Sequence, residues 1–226
     1  EVWEGVSEDP EHVNTPDDLI YCIYTSGTTG QPKGVMQQNK TMVNLVLDEY
    51  RTIGEEAFSR TLFSTNYGFD VSVQEYFSTL LCGGMGYIIT LEEKQDTKKC
   101  REIISANDIR TIFATSSYFE MLTNNDTELL TKNIRNVILA GESFKVSNKL
   151  LETKEASHIR LHNHYGPTET HVVTEKYATV GELRKEKNLD LGKPIANTQI
   201  YMMNGDNLCG IGVPGELCIA GDGLAR

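Results

Sequence analysis

Apolar and polar positions along the chain switch between two periods. Residues 19–25 (LIYCIYT) form a short apolar, aromatic and β-branched run, which predicts a buried strand. It leads directly into SGTTGQPKG, whose glycines, proline and hydroxyl residues predict irregular structure. From Thr41 onward, Met42, Leu45, Val46 and Glu49 carry a helical period with a mostly apolar face. The clearest helix lies at 73–81, where Val73, Tyr76, Phe77, Leu80 and Leu81 follow the i, i+3, i+4, i+7, i+8 pattern. Ser72 with Glu75 has the spacing of a capping box, and Gly83 and Gly84 end the helix. Beyond it the two periods alternate. The pattern predicts a strand near 86–91, a helix near 97–105, a strand near 109–114 and helices near 117–131. A strand near 136–140, a helix near 146–156 and a strand near 158–162 follow.

Strands that alternate with helices over short connections predict the α/β class, a parallel sheet covered by helices on both faces. Ligands of such sheets bind beyond the carboxyl ends of the strands. The segments richest in reactive side chains are YTSGTTG after 19–25, AGES after 136–140 and NHYGPTE after 158–162. All three follow strands, so they are predicted to converge on one site. From about Lys193 the helical period vanishes, and TQIYMM and GELCIAG, separated by Gly, Asn, Asp and Pro, predict the start of a small antiparallel β unit.

Composition narrows the function without naming it. With 39% apolar and 23% charged content in 226 residues, the chain can bury a sizeable core. A net charge of −11 opposes general affinity for nucleic acid or an anionic membrane, because approach to phosphate is repelled at long range. A local phosphate site built from backbone N–H groups and a few cations stays compatible with that charge. The five cysteines, Cys22, Cys82, Cys100, Cys209 and Cys218, are widely spaced without a C-x-x-C pair, which predicts reduced thiols and a cytoplasmic setting. No apolar run reaches 18 residues, and the acidic opening lacks the basic start of a secretion signal. The absent initial methionine predicts a fragment of a longer protein.

Three segments carry candidate chemistry. TSGTTGQPKG (25–34) places the hydroxyls of Thr25, Ser26, Thr28 and Thr29 among glycines, with Lys33 as the cation. Such a loop can wrap N–H and O–H donors around phosphate, although a flexible surface turn has the same composition. It lacks the G-x-x-x-x-G-K-[ST] spacing of a Walker A loop. Asp70 precedes the apolar helix, where it either caps that helix or, if buried, requires a cation such as a substrate ammonium. Thr168 and Glu169 follow a Gly-Pro turn, where the glutamate could hold Mg²⁺ and Tyr165 could stack on a base. A loop with a structural tyrosine fits the same residues.

The motifs taken together are more specific than any one of them. YTSGTTGQPKGV (24–35), NYGFDVS (66–72), NHYGPTET (163–170) and GELCIAGDGLAR (215–226) resemble, in order and spacing, four successive core motifs of the adenylation domains of nonribosomal peptide synthetases. LGKPIANTQIY (191–201) is also similar to these domains, so the resemblance spans nearly the whole chain. It implies a piece of the family's large N-terminal core. Residues 1–60 would end a first α/β subdomain with the phosphate loop, 61–190 would form a flavodoxin-like α/β subdomain with the amino-acid pocket, and 191–226 would start a β-barrel-like subdomain. The implied reaction joins an amino-acid carboxylate to the α-phosphate of ATP, releases pyrophosphate, and passes the acyl group to the phosphopantetheine thiol of a peptidyl carrier domain. A condensation domain in the same synthetase is an implied partner; nucleic acid and membrane are not.

The resemblance also distributes roles. It assigns Thr25, Ser26, Gly27, Thr28, Thr29, Gly30 and Lys33 to the β and γ phosphates of ATP. Gly141, Glu142 and Ser143, with Asn163 and Tyr165, would frame adenine; Thr168 would touch the α-phosphate and Glu169 would bind Mg²⁺. Thr168, Glu169 and Lys33 would act by positioning and charge stabilisation, since a substrate that is already a carboxylate needs no general base. Asp70 would bind the substrate ammonium. The remaining pocket positions would be Val71, Gln74, Phe113, Ile138, Ala140, His164, Val172 and Val173. Read from Asp70 they spell D-V-Q-F-I-A-H-V-V, which is similar to the selectivity pattern of proline-activating domains. Such a lining implies a compact apolar substrate and no second charge.

The chain departs from the family pattern in places. Asn39 stands where the family commonly has histidine, TSSYFEML lacks the usual proline, and the turn NGDNLCGIG is about one residue short. The ribose-binding aspartate and the catalytic lysine of the small C-terminal domain are expected past residue 226. Two other functions stay open from the sequence: an acyl- or aryl-CoA ligase on the same scaffold, against which Asp70 speaks, and a nucleotide- or amino-acid-binding core without turnover.

Overall fold

A computed structural model describes residues 11–26, 30–124 and 132–226. Strand β1 (Leu19–Thr25) pairs antiparallel with β2 (Lys33–Gln38), and helix α1 (Asn39–Thr52) follows. The hairpin corrects two expectations. Only one side of β1 is covered, by packing of Ile20 and Tyr21 against α1, while Tyr24 stays 73% exposed. Lys33 and Gly34, expected in irregular structure, begin β2.

The central sheet starts with β3 (Arg60–Phe63), after which α2 (Asp70–Leu80) leads to β4 (Met85–Ile88). Helices α3 (Leu91–Gln95) and α4 (Thr97–Ala106) precede β5 (Thr111–Ala114), and α5 (Ser116–Asn124) follows it. Next come β6 (Asn136–Leu139), α6 (Asn148–Glu152), a 3-10 turn at Lys154–His158 and β7 (Arg160–Tyr165). Strand β8 (Thr174–Thr179), helix α7 (Val180–Glu186) and strand β9 (Lys193–Pro194) complete the sheet, whose order is β4-β3-β5-β6-β7-β8-β9. Strands β4, β3, β5, β6 and β7 are parallel, as the alternating periods predict for all of them except β3, which had no strand signal. Strand β8 runs antiparallel to them, β9 pairs antiparallel with β8 and so shares the direction of the first five, and neither β8 nor β9 was expected. The helix expected to run to 131 is described only to Asn124.

Alternation along the strands divides the core into two layers. Ile112, Val137, Leu139 and Leu161 face α4, α5, α6 and α7, where Ile104, Phe119, Leu150 and Val180 close the layer. Phe113 and Ile138 face the other way, against Ile53 and Phe58, with partly buried Tyr50 and Val71 from α1 and α2. β5 and β6 are covered on both faces, and their sequences TIFA and NVIL accordingly show no polar alternation. The chain ends in a separate antiparallel sheet of β10 (Thr198–Asn204), β11 (Asn207–Leu208) and β12 (Glu216–Gly221), as the turn-rich pattern predicts. Among the described residues no helix is long and apolar enough to cross a membrane.

The capping box at α2 does not form. Ser72 lies inside the helix and donates to Phe69 O at 2.7 Å, while Glu75 is taken by Thr65, which donates from its backbone N at 3.2 Å and from Oγ1 at 2.6 Å. The helix stops where expected: a Cβ on Gly84 would stand 2.2 Å from the Phe58 carbonyl oxygen. Burial holds the Glu75 carboxyl up to about 7, against an ordinary 4.5. The folded state therefore binds the proton more tightly than the unfolded chain. The stability this supplies is complete below about pH 4.5 and is lost as pH rises through 7. Urea denaturation should give a higher midpoint near pH 5 than near pH 8, and Glu75→Gln should remove on the order of 3 kcal/mol of that difference.

Candidate functional site

A cavity of about 470 Å³ opens beyond the carboxyl ends of β3, β5, β6 and β7. Asp70, Val71, Phe113, Ala140, His164 and Val172 line it, and so do Gly141, Glu142 and Thr168. Two of the three chemical segments thus meet here because β6 and β7 are parallel neighbours. Gln74, Ile138 and Val173 lie fully buried outside that lining. Ile138 belongs to the Phe58 core layer, and Gln74 Nε2 donates to Glu49 Oε1 at 2.6 Å and meets His164 Nδ1 at 3.2 Å. Burial pushes the Glu49 carboxyl up to about 8, which favours its protonated form.

Asp70 is the first residue of α2 and half-buried. Its Oδ1 accepts from Val71 N at 2.9 Å, and the helix N-terminus favours its negative charge. Among the described residues no cation pairs with it. His171 fixes the backbone at this point. Its Nδ1 accepts from Val172 N at 2.9 Å, which leaves Nε2 as the protonated nitrogen that donates to Asp70 O at 3.1 Å. Burial lowers the pKa of this ring and so favours the neutral form. Tyr21 packs edge-on against it with ring centroids 6.3 Å apart, and burial, helped by the charge of Asp70, pushes the tyrosine pKa up.

The turn that carries Thr168 and Glu169 is pinned at both ends. Val173 N donates to Tyr165 O at 2.8 Å, Thr170 N to Pro167 O at 2.9 Å, and Ala225 N to Glu169 O at 2.8 Å. The Glu169 side chain is exposed, and its carboxylate has no partner among the described residues. An unengaged carboxylate suits a hard cation that takes oxygen ligands and keeps several waters, so the residues present fit Mg²⁺. On the other side of the cavity the Glu142 carboxylate accepts from Ser117 Oγ at 2.7 Å and from Ser117 N at 2.9 Å. These bonds hold its pKa below the ordinary range and tie the 141–143 loop to α5.

Other predicted residues are placed apart from the cavity. Asn163 donates to Asp190 O at 2.9 Å and to Leu189 O at 3.4 Å, on the face of β7 opposite His164. Tyr165 is half-buried at the end of β7, and Ser143 is exposed. Thr25 faces Lys33 across the β1–β2 hairpin, so the phosphate-loop candidate joins two strands, unlike a strand-to-helix phosphate loop. Ser26, Gly30 and Lys33 are exposed; Gly27, Thr28 and Thr29 lie outside the described residues.

The cavity also contains residues that sequence reasoning missed. Lys94 lines it, donates from Nζ to Ser64 O at 2.8 Å and lies 5.0 Å from the Tyr118 ring centroid. Lys94 puts a charge in the cavity that the sequence expectation, which named Asp70 and Glu142 there, did not include. His171 was readable only as a residue next to NHYGPTET, because its tie to Asp70 spans 101 positions.

Comparison with known proteins gives the context for this geometry. The model of the family described as "AMP-binding enzyme" matches residues 1–226. Gramicidin S synthase 2 of Brevibacillus brevis is 36% identical over 98% of the chain, and tyrocidine synthase 2 of Brevibacillus parabrevis is 38% identical over 96%. The chain spans only 5% and 6% of these relatives' lengths. Among solved structures, a four-domain nonribosomal peptide synthetase bound to AMP and glycine has a TM-score of 0.76 and 31% identity, covering 92% of the chain and 15% of that protein. A synthetase protein containing adenylation and PCP domains has a TM-score of 0.80 over 98% of the chain and 44% of its own, and at 24% identity it attests the fold alone.

Proposed function

The chain belongs to the AMP-binding enzyme family, and from that premise we propose that it is the core of a domain that activates an amino acid, with L-proline as the substrate. The observation that carries this reading is Asp70: a carboxylate at a helix N-terminus, without a cation among the described residues, on the wall of a cavity that Val71, Phe113, Ala140 and Val172 make mostly apolar. That arrangement suits an ammonium beside a compact apolar side chain. The substrate carboxylate attacks the α-phosphate of ATP and pyrophosphate leaves. Thr168 sits on the cavity wall where the α-phosphate contact is assigned, and Glu169 on the same turn is the Mg²⁺ ligand. When bound, Mg²⁺ supplies charge neutralisation on the phosphate oxygens.

Gly141 and Glu142 form the cavity wall assigned to adenine, and the β1–β2 loop from Thr25 to Lys33 is assigned to the β and γ phosphates. The acyl group then passes to a carrier-domain phosphopantetheine, with a condensation domain in the same polypeptide, a reading supported by the likeness to the four-domain nonribosomal peptide synthetase. We assign residues 1–60, 61–190 and 191–226 to three successive subdomains of this core, and the free thiols of the described structure support a reducing, cytoplasmic setting.

ATP–pyrophosphate exchange across the proteinogenic amino acids, in the natural polypeptide that contains this sequence, tests the reading. Proline should give the highest kcat/KM. Pipecolate should trail by only about 10–200-fold, because one methylene in an apolar pocket is worth roughly 1–3 kcal/mol. Another amino acid ranking first overturns proline, and exchange driven only by aryl or fatty acids overturns amino-acid activation.

A further inference from the structure

A second cluster lies on the β7–β8 ladder, of which the amino-acid pocket uses only His164. His162 and His164 are two apart on β7 and point to one face, and Glu175 on β8 pairs with His164 in register. His162 Nδ1 stands 3.3 Å from Glu175 Oε1, His164 Nε2 stands 4.0 Å from Glu175 Oε2, and the three ligand atoms lie within 4.8 Å of one another. Both histidine side chains are at least 99% buried, and His164 Nε2 has no hydrogen-bond partner among the described residues.

The outer contacts aim these atoms inward. His162 Nε2 meets Asn136 Oδ1 at 3.2 Å; donating to that oxygen leaves the Nδ1 lone pair directed at Glu175. His164 Nδ1 meets the Gln74 amide, whose Oε1 is buried without a partner. Turning that amide over lets Oε1 accept from Nδ1–H and frees the His164 Nε2 lone pair, at the cost of moving the amide NH₂ into the buried position where Oε1 has no partner among the described residues. Two imidazoles with outer carboxamides and one carboxylate are the donor set of borderline divalent transition metals. Their atoms need to draw together by roughly 1.5 Å at most to reach the spacing of a tetrahedral site. A surface cavity lined by Asp48, Thr52, Glu175 and Lys193 gives an ion access from solvent.

We propose that His162, His164 and Glu175 bind one zinc-like divalent transition-metal ion that ties β7 to β8 behind the amino-acid cavity, separate from the Mg²⁺ ligand Glu169. The site does not depend on which substrate the cavity takes. Its test is direct metal binding. The full chain, stripped with chelator and titrated with Co²⁺, should bind one ion with visible d–d bands and no thiolate charge-transfer band, and Zn²⁺ should displace it. Glu175→Gln should weaken binding at least about tenfold, and Asn136→Ala, which removes an outer contact, by about 10–100-fold. No stoichiometric binding to the unsubstituted chain, a thiolate charge-transfer band, or unchanged affinity in folded Glu175→Gln would each overturn the site. Should that variant fail to fold, zinc-dependent ¹⁵N shifts of the His162 and His164 rings in the unsubstituted chain decide the question, and unmoved shifts overturn it.

Discussion

Asp70→Ala should lower kcat/KM for amino-acid-dependent ATP–pyrophosphate exchange by about 10²–10⁴-fold while leaving ATP affinity within about twofold. The magnitude follows from stranding a charge. Removing one partner of a desolvated ion pair costs about 3–5 kcal/mol, because the other charge stays buried and unpaired, and each 1.36 kcal/mol is a factor of ten in rate. Here the stranded group would be the substrate ammonium, in a cavity whose apolar walls include Val71, Phe113 and Val172. Asp70→Asn retains the shape and the acceptor for Val71 N but not the charge, so it should keep most of the defect. ATP affinity is spared because Asp70 belongs to α2, whereas Thr168 and Glu169 sit on the turn after β7. Isothermal calorimetry with ATP beside exchange kinetics checks both halves. Exchange at the unsubstituted rate in either variant would remove the ammonium contact from the mechanism.

The parts of the fold legible in the sequence are those whose signal is local. TIFA and NVIL read as strands because burial on both faces makes them uniformly apolar, and the period of 3.6 revealed α2. RTLF and TEKYAT did not read as strands. The first is four residues long, and the second is only partly buried with polar positions on both faces, since it packs near the antiparallel edge of the sheet. The Ser72–Glu75 capping box failed for a related reason: Thr65, ten positions upstream, takes the Glu75 carboxylate, and no local spacing rule encodes that partner. The same division runs through the site. Asp70, Thr168 and Glu169 stand in contiguous motifs and could be singled out from them. Lys94 enters the cavity from a charged segment with no motif of its own, and His171 matters through a bond to the Asp70 backbone that only the folded chain creates. Asn163 sits in a motif too, yet its strand position turns its carboxamide to Leu189 and Asp190, since a strand sends successive side chains to opposite faces.

Gly166→Ala should damage both halves of the site at once, and that breadth separates it from Asp70→Ala. A Cβ at this position would lie 1.5 Å from His171 O, 2.6 Å from His171 C and 3.0 Å from Val172 Cα. All three are backbone atoms, so no rotamer change relieves the clash and the turn between β7 and β8 must open. One end of that turn holds Thr168 and Glu169. The other end holds His171, in the left-handed region at φ 57°, with its ring bonded to Asp70 O. Opening the turn therefore moves the residues proposed for the α-phosphate contact, Thr168, and for Mg²⁺, Glu169, while it releases the backbone bonded to His171 at Asp70. Forcing a methyl into close-packed backbone costs about 1–3 kcal/mol or more, so the urea midpoint should fall by a corresponding amount. ATP affinity and amino-acid KM should both worsen, by about tenfold or more for each 1.4 kcal/mol of lost positioning. Calorimetry with ATP is the decisive measurement, since Asp70→Ala leaves that affinity standing. Gly166→Ala with an unsubstituted-like urea midpoint and ATP affinity would show that the turn tolerates opening and that Thr168 and Glu169 do not depend on it for their placement.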